Sequence, residues 1–166
     1  MAPQAEPHGY VTRAIHWVSG GLIAFGYFKG LDRVSQLSDP AVFRFEIATA
    51  LLIGFVFAIR WVWTKRVAGS TRLPAEAPRW EHFGSRAVHF GLYAAVFGIV
   101  LSGLGIALGY VTPALDGLFL DAMVGLHEIT LALLPVLLIA HIAGALWHKF
   151  VRRDGVMESM TGRLTG

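Results

Sequence analysis

Four long apolar stretches organise the chain, at about 14–28, 43–63, 88–111 and 123–147. Each is hydrophobic all round and shows no strand-like alternation, so each is expected to be a helix. Crossing roughly 30 Å of hydrocarbon at about 1.5 Å per residue takes about 20 residues. The first stretch is the shortest and is expected to borrow interfacial residues at both ends. Gly20, Gly21, Gly98, Gly103, Gly105 and Gly144 lie inside these stretches, where small residues let helices or a flat cofactor come close. Trp17, Tyr27, Trp61, Trp63, Tyr110 and Trp147 sit near the ends, as aromatic belts do at membrane interfaces. Residues 70–79 carry Pro74 and Pro78 and read as a polar loop. The pattern predicts a single all-α domain over 1–166, an integral membrane four-helix bundle.

The charges orient it. With four spans, both termini share a side with the loop between the second and third helices. Eleven of the 14 Lys and Arg residues fall on that side, and only Lys29, Arg33 and Arg44 on the other. The positive-inside rule then places both termini of the multi-pass chain in the cytoplasm. Topology and anionic lipid account for the basic excess, and nucleic acid is not an expected partner. The opposite side holds Asp32, Asp39, Glu46, Asp116, Asp121 and Glu128 and is net acidic.

Composition narrows the chemistry. Hydrophobic residues make up 55% of the chain and charged ones 15%, against about 25% charged in an ordinary soluble domain. There is no cysteine, which excludes iron–sulfur clusters, thiolate zinc sites, covalently attached haem and disulfides. The start, MAPQAEPHGYVTR, lacks the basic-then-apolar order of a cleaved signal, so the first helix is expected to direct insertion and remain.

Cofactor ligands must therefore come from the seven histidines, the four methionines or the carboxylates. His127, His141 and His148 are 14 and 7 residues apart, so they share one stripe of the fourth helix. His127 and His141 are separated by roughly 21 Å of helical rise, one near each leaflet. His16 opens the first helix and His89 the third, both at the depth of His141. Histidine inside a bilayer marks a functional site by default. A haem iron takes two axial ligands from facing helices, with apolar, glycine-relieved walls. One haem between His16 and His141, with Arg60 neutralising a propionate, meets those needs. His8 and His82 are expected in solvent.

The segments AIHW at 14–17, VHFGLY at 88–93, LHE at 126–128 and WHKFVRRDGVMESM at 147–160 resemble the prokaryotic cytochrome b561 family. That family is related to the haem-bearing membrane subunits of nickel–iron hydrogenases and formate dehydrogenases. The resemblance covers nearly the whole chain. It implies a four-helix bundle with two b haems, one per leaflet, exchanging electrons with ubiquinone, and some members resemble quinone-reducing superoxide oxidases. By the family pattern His16 and His141 hold the inner iron. His127 holds the outer one, opposite a histidine near the outer end of the second helix.

This chain departs from the pattern there. The position 14 residues before Arg60 is Glu46. Every other histidine lies on the cytoplasmic half. Met1, Met157 and Met160 lie inside too, and Met123 shares a helix with His127. The chain alone cannot supply a second histidine to an outer iron. Glu46 could ligate iron or hold water on it, the outer haem could be absent, or a partner subunit could donate the ligand. One inner haem b is therefore expected, and a second at His127 is left open.

Function follows from those sites. Quinone needs groups that exchange protons, and imidazole titrates near neutral pH. An inner site would use His89 and His148; an outer one would use Lys29, Arg33 or Asp121. The acidic outer face is ill suited to steering superoxide and better suited to a basic periplasmic carrier or partner subunit. The expected function is electron transfer between quinone and a periplasmic-side donor or acceptor. The alternative is a haem-bearing anchor of a larger complex, inert alone. A metal transporter is disfavoured, because the histidines are spread too widely in depth for one site.

Overall fold

The computed structural model describes residues 8–29, 34–68, 73–74 and 76–162. Arg33, together with Asp32, Arg72, Arg163, Met1 and part of the 70–79 loop, lies outside these residues.

The described residues are helical, with no strand among them. Helix α1 spans Tyr10–Lys29, α2 Pro40–Trp63, α3 Arg79–Val111, α4 Leu118–Trp147 and the short α5 Val156–Thr161. The start of α2 follows from local chemistry. The Asp39 carboxylate accepts the Ala41 N–H at 2.7 Å, and Pro40 occupies the first turn, where a missing N–H costs nothing. α4 runs through Pro135 without ending. A proline inside a membrane helix is tolerated where neighbouring groups take up the freed carbonyl.

Helix α3 is 33 residues long, about 50 Å of rise, well beyond a hydrocarbon core of about 30 Å. It begins nine residues before the apolar stretch that marks it in the sequence. Those residues carry Arg79, Glu81, His82 and Arg86 and extend the helix past the apolar layer. Hydropathy reads only the part that lipid touches.

Three helical segments are long and apolar enough to cross a membrane: Pro40–Val67, Arg79–Val111 and Leu118–Arg152. α1 falls outside this group; Arg13, His16, Ser19, Gly20 and Gly21 dilute its hydropathy.

The helices pack in chain order, α1 on α2, α2 on α3 and α3 on α4, and α5 folds back onto α1 and α4. Burial concentrates in the middle of the packing. Phe57 of α2, Ala95 and Val96 of α3 and Leu134 of α4 form the core, with Ile23 of α1 against it. The α3–α4 seam is drawn tight by glycine. A Cβ on Gly98 would lie 2.6 Å from the Thr130 methyl carbon, and one on Gly105 would lie 2.6 Å from the Met123 sulfur. Outside this core, Phe55, Phe90, Leu118 and Ile139 are among the many large apolar side chains that face outward. Such a surface would aggregate in water and is at rest in lipid.

Candidate functional site

At the end where α1 begins and α4 finishes, each long helix contributes one side chain to a common cluster. His16 of α1 and His141 of α4 have ring centres 6.1 Å apart, with planes inclined at 42°. His89 of α3 stands edge-on to His141, centres 5.0 Å apart. Arg60 of α2 donates from Nη2 to His16 Nδ1 at 2.9 Å, and its guanidinium lies 5.9 Å from the ring centres of both Phe57 and Tyr93. The aromatic faces stabilise the cation away from water. His89 donates from Nδ1 to the Ser85 carbonyl at 2.6 Å, one turn back on its own helix, and this leaves its Nε2 as the lone-pair nitrogen.

His127 lies 14 residues up α4 from His141, roughly 21 Å away in rise. The Ser102 hydroxyl of α3 donates to the Gly98 carbonyl at 2.5 Å, so its oxygen is free to accept, and His127 donates to it from Nδ1 at 2.9 Å. The ring is thereby held with the Nε2 lone pair outward, the tautomer that second-shell partners impose on metal-ligating histidines. Ser102 is fully buried. A Cβ at Gly103 would be 3.4 Å from His127 Cε1, so α3 forms a close wall beside the ring. Glu46 is half-buried on α2 and forms no hydrogen bond or ion pair among the described residues. Lys29 and Asp121 are both exposed at this end, and neither meets a side-chain partner among the described residues.

Beyond α4 the helix widens into a π turn, His148–Arg152. His148 donates from Nδ1 to Asp154 Oδ2 at 2.7 Å, both side chains buried. On the same turn Arg152 meets the buried Glu81 of α3 at 3.3 Å. His8, expected in solvent, is buried instead. Its N–H donates to the Ser159 carbonyl at 3.0 Å, because α5 folds back over the start of α1. His82 is partly exposed.

A family model, prokaryotic cytochrome b561, matches residues 8–163. The chain belongs to that family. This cytochrome is thus a membrane protein, a b-type cytochrome of electron transfer. No curated protein and no solved structure matches the chain.

The family implies haem b, and the terminal-end cluster fits it. Metal–imidazole bonds of about 2 Å, plus roughly 1.2 Å from nitrogen to ring centre, set two axial imidazoles about 6.4 Å apart. The His16–His141 separation of 6.1 Å matches this, whereas the His89–His141 separation of 5.0 Å is too short. Among the described residues no three His, Cys, Asp or Glu side chains converge on one ion, as a protein-only zinc site requires. Small residues flank the pair as well. Gly20, one turn from His16, and Gly144, one turn from His141, each face open space beyond 4 Å, unlike the glycines of the α3–α4 seam.

Sequence reasoning singled out His16, Arg60, His89 and His141, and the structure brings them together. It missed Ser85, Ser102 and Asp154. The one available signal was the Asp154-Gly155 dipeptide, a turn former six residues past His148.

Proposed function

We propose that this cytochrome holds one low-spin haem b between His16 and His141 and passes electrons between quinone and a redox partner on the opposite side of the membrane. In this reading α1 also spans, giving a four-helix bundle with both termini in the cytoplasm of a bacterium and the His16–His141 pair under the inner leaflet. The axial-distance match of those two rings carries the proposal. Bound haem supplies reversible one-electron transfer.

The protein's own residues do the rest. His16 and His141 would hold the haem iron. Ligation through His16 Nε2 requires the ring proton on Nδ1, and arginine has only donors. Arg60 then gives up its present hydrogen bond to His16 and is free to hold an anionic propionate. His89 and His148, at the same end, are the quinone-facing candidates, and imidazole can take or return a proton as quinone changes state.

The second ligand set is incomplete. His127 is pre-oriented by Ser102, but the facing helix offers Glu46. An outer haem would be held by His127 together with a carboxylate, a water or a partner-subunit ligand. This altered pocket, with an acidic outer face, disfavours superoxide as donor and favours a basic periplasmic carrier. The absence of any long connecting segment between the four helices supports a second reading, a haem-bearing anchor within a larger complex.

Purification in detergent, pyridine haemochrome quantitation and oxidised and reduced spectra test the proposal. The expected result is one low-spin haem b per chain, reducible by quinol. Two low-spin haems from the isolated chain, or none, overturn it. Quinol reduction of the isolated protein separates the enzyme from the anchor, which is inert without partners.

A further inference from the structure

The buried pair His148–Asp154 takes no part in holding haem, and its construction is unlike that of a chance contact. His148 lies two turns past His141, about 10 Å along the axis. The chain then turns sharply. Arg153 N–H closes on the His148 carbonyl at 2.7 Å, and Arg153 and Gly155 both adopt left-handed backbone, φ 52° and 80°. Asp154 is pinned between them. One carboxylate oxygen accepts Val156 N–H at 3.2 Å at the start of α5, and the other accepts His148 Nδ1–H at 2.7 Å.

The two arginines that precede Asp154 in the chain are engaged elsewhere. Arg152 pairs with Glu81, and Arg153 Nε donates to the Phe150 carbonyl at 3.3 Å. Among the described residues His148 is thus the one side chain that Asp154 binds. A cap for α5 alone could be Ser or Asn at no cost in buried charge. A carboxylate that is 5% exposed, hydrogen-bonded to a 9% exposed imidazole, fixes which ring nitrogen bears the proton, as the aspartate does in serine-protease triads.

We propose that Asp154 is the positioning residue of His148, holding its proton on Nδ1 so that Nε2 accepts and returns the proton of quinone at this end of the molecule. The proposal rests on the reading that quinone exchanges electrons with the His16–His141 haem. Quinol oxidation releases two electrons and two protons in two one-electron steps. In each step the haem would take one electron, an O–H bond of the quinol, and then of the semiquinone left by the first step, would break, and its proton would pass to His148 Nε2. The imidazolium so formed is stabilised by the Asp154 carboxylate and returns the proton to water between steps. Quinone reduction is the reverse of both steps.

The test uses the haem-loaded, reduced protein labelled with 15N-histidine, with His148→Gln to assign the signal. The wild type is expected to show His148 protonated on Nδ1 and bare on Nε2. Asp154→Asn is expected to populate the opposite tautomer, as an asparagine amide can donate to Nδ1. The rate of haem reduction by decylubiquinol should fall by at least about tenfold, with the haem spectrum unchanged. Asp154→Ser, which keeps a cap for α5, should show the same loss of rate. A wild-type His148 protonated on Nε2 overturns the proposal without any variant. Wild-type reduction by decylubiquinol with both variants matching it overturns the dyad and leaves the quinone reading standing. No reduction of wild type by the quinol overturns both, and the low-spin spectrum then stands alone as evidence of haem.

Discussion

The two ends of this cytochrome are built to different degrees of completion. At the terminal end all four long helices send a side chain inward, and two rings from opposite ends of the chain stand at axial distance. At the other end α3 and α4 prepare one imidazole, His127, but α2 brings Glu46, which has no partner among the described residues. Preparing a ligand and completing a site are separate tasks. The first needs one hydrogen bond across a tight seam; the second needs matching residues on helices that need not touch.

The sharpest break of this contrast is His141→Ala. It is expected to abolish the low-spin haem signal, while His127→Ala leaves that signal intact; pyridine haemochrome assay and absorbance spectra measure both. Loss of low-spin haem on His127→Ala instead would reverse the assignment of the two ends. Next in size is Glu46→His, which supplies α2 with an imidazole at the His127 end. Haem content should rise from about one toward two per chain, both low-spin, and an unchanged content would show that more than the ligand is missing.

A smaller effect concerns the seam itself. Gly98→Ala places a methyl 2.6 Å from the Thr130 methyl carbon, and Thr130 cannot easily turn, since its hydroxyl donates to the Leu126 and His127 carbonyls at 2.8 and 3.0 Å. Overpacking of this kind costs about 1–3 kcal/mol, read as a lower thermal midpoint. Gly20→Ala, facing open space, should change stability by less than about 0.5 kcal/mol while lowering haem retention. Ser102→Ala removes the hydroxyl that orients His127 at a cost of about 1 kcal/mol, at the low end of the Gly98→Ala range. The inner haem spectrum should not change.

Much of the scaffold was legible in one dimension. Apolar runs marked α2, α3 and α4 because lipid selects on composition, residue by residue. The polar first turns of α3 were not legible, since beyond the lipid a helix needs no apolar signature. α1 was legible as an element, but its hydropathy is weaker than that of its neighbours because it carries His16 and its glycines. The histidine stripe of α4 followed from 3.6 residues per turn.

The partners of those histidines did not follow. Arg60 was placed near the cluster by depth, yet its hydrogen bond to His16 joins residues 44 apart in the chain. Asp154 reaches His148 only because two left-handed residues bend the chain back, and His8 is buried only because α5 then covers it.

The sequence by itself determined the apolar helices, the family and the depth of each candidate ligand, because these depend on composition and on helical rise. The tertiary structure decided which imidazoles meet, which nitrogen each presents and which glycines are filled or open. Those outcomes depend on how separate helices rotate and pack against one another, and no local run of residues records that.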